Sequence, residues 1–314
     1  MEVVASRSAV GAPAAAGRHT APGCVTEAAA GFRCRACDGV RTTPRFTVDG
    51  YDLLRCHDCG SMTTAWTMPA AAASEYYGEA YFRGGDYRDY QGSANALRAN
   101  FRRFADRLAA IETGGRLLEL GCAYGYFLEE AERRWQCEGV DVSHDVVDAC
   151  RRRTGCRVFA GDVIELPLEA GYQWIVAWDV VEHLDRPRDA VARAFDLLAP
   201  GGRIAFTTGD ISSSAARALG PAWRLLTPPS HLTFFSRAGV RALLGDAGFV
   251  ECALGTAGYA RTFDFAMYRL LGERRYAALA RRWPALVAHA RRRSFYLNLG
   301  DIMFVTARKP HDRN

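Results

Sequence analysis

The run Leu117-Leu-Glu-Leu-Gly-Cys-Ala-Tyr-Gly-Tyr-Phe restricts this chain more than any other stretch of it. Its apolar opening with one acid reads as a buried strand, Gly121 and Gly125 mark a tight turn, and a helical pattern starts at Tyr126. A glycine turn lets backbone amides approach a ligand closely, and the N-terminus of the following helix favours that ligand's negative groups. A strand joined to a helix in this way needs a parallel partner beyond the helix, so the chain is committed to crossover connections and a covered sheet.

The same order recurs downstream. Candidate strands are Arg116–Leu120, Cys137–Val142, Arg157–Ala160, Trp174–Trp178 and Arg203–Thr208, with helices at Tyr126–Trp135, Asp145–Arg153 and Pro187–Leu198 between them. Ser236 caps a further helix that ends at Gly248, and Phe249–Gly255 and Asp301–Ala307 read as two more strands. Short links between alternating elements imply an α/β fold with a doubly wound, mostly parallel, seven-stranded sheet. The chain divides into a disordered tail (1–30), a cysteine-bearing module (31–66), a helical and aromatic connector and lid (67–112), a core (113–258), a helical arginine-rich insertion (259–299) and a last strand with its tail (300–314).

At 314 residues there is room for one large core and a small module. The 49% hydrophobic and 24% charged content is that of a globular protein, and no apolar run approaches the roughly 20 residues of a spanning helix. The N-terminal residues lack the order of a secretory signal, and ten cysteines then point to reduced thiols or metal ligands and a cytoplasmic location. The net charge of +5 is nearly all arginine, Lys309 being the only lysine, and carries no functional weight by itself.

Asp141 ends the second strand 22 residues after Glu119, where a carboxylate can accept hydrogen bonds from a ribose diol. The first turn alone would also suit a dehydrogenase-type nucleotide fold. Gly161-Asp-Val, Asp179-Val-Val-Glu-His and Leu198-Ala-Pro-Gly-Gly follow in order. With these motifs the chain resembles the class I S-adenosylmethionine (SAM) methyltransferases, in particular the branch that modifies sugars, quinones and secondary metabolites. The resemblance implies a Rossmann-like methyltransferase fold. It places Glu119 and the turn residues Gly121, Cys122, Ala123, Gly125 and Tyr126 at the methionine part, Asp141 and Val142 at the ribose, and Asp162 and Val163 at the adenine. Trp178 and Asp179 close the fourth strand beside them, and Tyr81 belongs to an aromatic segment (Tyr76-Tyr-Gly-Glu-Ala-Tyr-Phe) similar to one that covers the cofactor. Ala123 departs from the family's usual glycine, which is tolerable where its φ is negative.

Transfer to a hydroxyl acceptor needs somewhere for its proton to go, and histidine suits that task near neutral pH. His183 follows the fourth strand and His231 lies in the loop after the fifth; either offers the base. A further reading groups Asp179, Glu182, His183 and His231 around a divalent cation such as Mg²⁺.

Cys34-Arg-Ala-Cys37 and Cys56-His-Asp-Cys59 are two C-x-x-C pairs separated by 18 residues, a spacing that lets two knuckles close a four-thiolate zinc site. A closed site of this kind is structural. A redox pair is the alternative.

The leading functional reading is O-methylation of a small-molecule acceptor, a sugar, glycoside or other secondary metabolite. An RNA methyltransferase is the runner-up, motivated by the zinc ribbon and eight arginines from Arg269 to Arg293. Against a nucleic-acid partner, the fourth strand leads into Asp179-Val-Val-Glu rather than an Asn/Asp-Pro-Pro-aromatic turn. The arginines also interleave with Leu270, Leu271, Leu279, Trp283 and Leu286, the pattern of an amphipathic lid with a solvated face. A non-catalytic scaffold is the third reading.

Overall fold

The computed structural model describes residues 32–67, 76–77 and 94–311. Its elements in order are β1 (Thr42–Val48), β2 (Tyr51–Cys56), β3 (Met62–Thr64), α1 (Ala94–Ala109), β4 (Arg116–Leu120), α2 (Tyr126–Ala131), β5 (Gln136–Asp141), α3 (His144–Thr154), β6 (Arg157–Ala160) and β7 (Tyr172–Trp178). There follow α4 (Pro187–Leu197), β8 (Leu198–Gly209), α5 (Ser214–Leu219), β9 (Thr233–Phe234), α6 (Arg237–Asp246), β10 (Val250–Thr256), β11 (Tyr259–Thr262), α7 (Phe263–Arg282), α8 (Pro284–Arg292), β12 (Ser294–Leu297) and β13 (Ile302–Arg308). The tail at 1–30 and Tyr81 lie outside the described residues.

Seven strands form the central sheet in the order β10-β13-β8-β7-β4-β5-β6. Strands β4 to β8 pair in parallel, and only β13, antiparallel to both β8 and β10, runs the other way. Alternate side chains leave opposite faces of a strand, and each face finds its own helices. Leu118, Ile175, Ile204 and Val305 pack under α4 and α6. Leu117, Trp174, Val176 and Phe304 pack under α1, α2 and α3. Each fully buried side chain of this size contributes roughly 1.5–3 kcal/mol, which explains why these strands read as near-continuous apolar runs.

Several boundaries differ from expectation. Helix α2 stops at Ala131 rather than Trp135, because Arg134 N–H turns back to Ala131 O (2.9 Å) and Gln136 N–H already donates to Gly115 O (2.9 Å) in the next ladder. Strand β8 begins at Leu198, not Arg203: Leu198 pairs with Tyr172, and the register shifts before Trp174 pairs with Arg203. The insertion is not purely helical. Its ends, β11 and β12, form an antiparallel ribbon, and α7 is broken at Gly272.

The cysteine segment is tied to the core. β3 pairs with β9, giving a second sheet in the order β1-β2-β3-β9. Ser236 N–H donates to Ser61 Oγ (3.0 Å), while Ser236 Oγ accepts from Gly239 N–H (2.9 Å) as the cap of α6. Gly239 permits this approach, since a Cβ there would lie 2.1 Å from Ser61 Oγ. Arg35 is 8% exposed and donates to Thr64 O (2.8 Å), Trp66 O (2.7 Å), Asp185 O (3.1 Å) and Asp185 Oδ1 (2.8 Å).

Candidate functional site

The turn between β4 and α2 sits at the carboxyl ends of the parallel strands, where open α/β sheets bind ligands. Gly121 and Gly125 have φ of 68° and 78°. A Cβ on Gly125 would meet Cys150 Sγ at 2.6 Å, so side-chain space is already filled by α3. Ala123 also has positive φ, 45°, so the negative φ under which an alanine is readily tolerated there is not met. The physical reason is its amide: Ala123 N–H donates to Asp141 Oδ2 (2.9 Å), and this bond draws the turn down onto β5.

Two buried acids lie beneath the turn. Asp141 Oδ1 accepts from Ser143 N–H (3.0 Å), and burial raises its pKa against the pull of these amides. Glu119 is driven well above the ordinary carboxylate range by burial first, then by Cys150 and Asp141 nearby. Its Oε2 is buried without a hydrogen-bond partner, a costly condition unless a donor arrives. A cationic ligand bearing an ammonium group answers that need, so these residues fit SAM. Cys122 and Tyr126 are buried around the turn. Val142 is partly buried where β5 ends, Val163 is buried in the core, and exposed Asp162 accepts from Ile164 N–H (2.9 Å) through Oδ1. Trp178 packs against Phe104 and Phe304, with ring centroids 4.8 and 5.6 Å away, inside the aromatic core.

Asp179 has a φ of 54° and a crowded carboxylate. Tyr259 Oη–H reaches Oδ1 and Oδ2 at 2.7 Å each, and Thr207 Oγ1–H donates to Oδ1 (2.8 Å). Neither Tyr259 nor Thr207 was marked by any motif or spacing; 80 residues separate Tyr259 from Asp179, and only the return of the chain into β11 joins them.

His183 and His231 come together, ring centroids 4.7 Å apart and nearly perpendicular. His183 Nδ1 lies 2.8 Å from Ser230 O and His231 Nδ1 2.8 Å from Leu225 O. A carbonyl can only accept, so each ring keeps its proton on Nδ1 and its basic lone pair on Nε2. His231 is lowered to about 3 by burial and by His183 beside it. Glu182 is raised to about 8 by burial and by Asp179, and its Oε2 is buried without a partner. Glu182, His183 and His231 offer ligand atoms within 4.8 Å of one another. Asp179, expected in that group, does not belong to it: Tyr259 and Thr207 hold its carboxylate.

The cysteine module positions this pair. Thr64 N–H donates to Leu232 O (2.9 Å), Thr64 Oγ1–H to His231 O (3.0 Å), and Leu232 N–H to Glu182 O (2.8 Å). Tyr77 meets His183 edge-on at 5.7 Å. At the far end of the module the thiols of Cys34, Cys37, Cys56 and Cys59 lie within 4.8 Å of one another. Both knuckles end in a left-handed residue, Asp38 (φ 60°) and Gly60 (φ 77°). His57 Nε2 is bonded to Thr43 Oγ1 (2.9 Å), outside the cluster.

Comparison with known proteins bears on the family and the fold. A malonyl-[acyl-carrier protein] O-methyltransferase of Enterobacter lignolyticus (strain SCF1) is 29% identical over 163 residues, 48% of this chain and 58% of that protein. An uncharacterized 37.1 kDa protein in transposon TN4556 of Streptomyces fradiae is 32% identical over 136 residues, 40% of this chain and 39% of that protein. The chain thus spans about half the length of these curated relatives. Among solved structures, magnesium protoporphyrin IX methyltransferase from Synechocystis PCC 6803 with bound SAH matches at a TM-score of 0.50 and 13% identity, covering 77% of this chain and 100% of that one; the likeness is one of fold. A family model for a methyltransferase domain matches residues 90–252, more than half of the 314 residues, and the chain therefore belongs to the methyltransferase-domain family.

Proposed function

We propose that this chain is a SAM-dependent methyltransferase that methylates an oxygen of a small-molecule acceptor, a sugar, glycoside or other secondary metabolite, in the cytoplasm. The observation that carries the reading is the orphaned Glu119 carboxylate beneath the glycine turn, with a histidine pair beyond the next parallel strand. When bound, SAM supplies an electrophilic methyl group on a sulfonium. Glu119 and the Gly121–Gly125 turn hold its amino-acid part, Asp141 and Val142 its ribose, and Asp162 with Val163 its adenine. His183 accepts the acceptor's proton through Nε2; His231, held neutral down to about pH 3, is too weak a base for the task and instead packs against His183. The E. lignolyticus relative's name as an O-methyltransferase supports oxygen as the acceptor atom.

The cysteine quartet is proposed as a structural zinc site, because four converging thiolates satisfy tetrahedral zinc and leave no position open for catalysis. The Glu182, His183 and His231 cluster supports a second reading, a divalent cation such as Mg²⁺ that orients the acceptor oxygen. Calorimetry on the full chain tests the main reading: SAM binds, and Glu119→Gln and Asp141→Asn each weaken it by about tenfold or more. Methyl-labelled SAM offered with hydroxylated small molecules should label them and not RNA. Labelling of RNA alone would reverse the assignment, and absence of SAM binding would leave a non-catalytic scaffold. A rate lost on chelation and restored by Mg²⁺, with zinc retained, would select the cation reading.

A further inference from the structure

Residues 259–299 concentrate the charge of the molecule. They carry nine arginines against two acids, Asp264 and Glu273, whereas the whole chain sums to +5; everything outside the segment is therefore slightly negative. Asp264 is buried, accepts from Tyr276 Oη–H (3.3 Å) and pairs with Arg291 (3.4 Å).

The apolar side chains of this segment are exposed as well. Of thirteen exposed large apolar side chains among the described residues, nine lie between Phe263 and Leu299. Leu270 is 85% exposed, Trp283 56%, Leu299 51% and Leu286 50%. A lid that only covered the core would bury its leucines and show its arginines. Here the inward positions are filled by Tyr276, Val287 and Ala290, Leu279 is half-buried, and Leu270, Leu271, Leu286 and Trp283 are exposed. Their placement is regular: Leu270 and Leu271 stand at the break of α7 between Arg269 and Arg274, and Trp283 joins α7 to α8 directly after Arg281 and Arg282. The Arg282 guanidinium lies 5.4 Å from the centre of the Trp283 ring.

That combination suits one partner chemistry. Nucleic acid would use the arginines but bury none of the leucines. A second copy would set nine arginines against nine. A surface with phosphates at one level and acyl chains just below accepts both, with long arginine side chains reaching up to the phosphates while leucine and tryptophan enter the boundary. No described helix is long and apolar enough to cross a membrane, so the contact lies on the surface. We propose that the insertion 259–299 docks this protein onto an anionic phospholipid bilayer. The base of the insertion, Tyr259, touches Asp179 (2.7 Å), so the docking surface is rooted beside the candidate site.

Flotation of the full-length protein with vesicles of phosphatidylcholine alone, or mixed with phosphatidylglycerol, tests this. The protein should partition onto the anionic vesicles by about tenfold or more over the neutral ones and be released as salt rises. Brominated lipid should quench Trp283, the one exposed tryptophan among the described residues, and this component should vanish in Trp283→Phe. Leu270→Ser with Trp283→Ser, and separately Arg281→Gln with Arg282→Gln, should each lower partitioning by about tenfold or more. Cooperative thermal unfolding at the wild-type temperature shows that these variants are folded, and SAM calorimetry reports separately on the methyltransferase reading. Equal partitioning onto both vesicle types, wild-type binding by both double variants, or tight RNA binding by protein that leaves vesicles untouched would each overturn the proposal.

Discussion

Ala123 takes up a left-handed conformation where an alanine is at ease only with negative φ. Its position in the turn is legible from Gly121 and Gly125, but its positive φ follows from a bond to Asp141, which local sequence does not reveal. A left-handed alanine costs about 1–2 kcal/mol, and glycine's extra freedom in the unfolded chain offsets about 0.4–1 kcal/mol of any gain. Ala123→Gly should therefore stabilise the protein by about 0.5–1 kcal/mol in urea unfolding; destabilisation would show that the methyl group matters more than the strain. Glu182 and His231 carry opposed pH dependences. His231, lowered to about 3, contributes stability that is complete above its ordinary 6.5 and is lost as pH falls. Glu182, raised to about 8, contributes stability that is complete below its ordinary 4.5 and is lost as pH rises. Between pH 4.5 and 6.5 the two slopes oppose one another. Without added divalent cation, Glu182→Gln leaves the histidine slope of the pair, so stability should rise with pH across that window by up to about 1.4 kcal/mol per unit. A variant whose slope matches the parent's would show that Glu182 does not hold its proton in this window, and a variant with no slope would remove the basis for a neutral His231.

The central elements were legible because period and punctuation agree. β4 and β6 fall where their apolar runs predict, and α6 where Ser236 caps it. The errors fall where a neighbour decides: α2 is cut short by the next strand, and β8 is extended through its glycines by pairing with Tyr172. The largest departure is β3 with β9, a pairing between residues some 170 positions apart that no local pattern encodes. It makes the cysteine segment a brace for the His231 loop. Arg35 is its clamp, and Arg35→Ala should cost about 2–3 kcal/mol in chemical denaturation, since it strands buried carbonyls; solvent screens the ion pair to Asp185, which is 33% exposed, and limits the loss. Arg35→Lys should recover little, as one ammonium cannot serve four acceptors in a fixed fork. Full recovery by lysine would mean that charge alone matters.

A brace that shares a sheet with the core should melt with it. A single thermal transition is expected, and Cys34→Ser should lower it as a whole rather than release a separate early step; two resolved transitions would show that the module is autonomous. At this scale the division between sequence and structure has a physical cause. The class of sheet, the order of the glycine and carboxylate motifs and the cysteine quartet were legible along the chain, because each rests on periodicity or on spacing within one turn. Packing alone brings Glu182, His183 and His231 together, gives Asp179 to Tyr259 and Thr207, and leaves most leucines of the insertion exposed alongside its arginines. Those outcomes depend on which distant segments compete for the same space and the same hydrogen bonds, and that competition is settled only when the whole chain has packed.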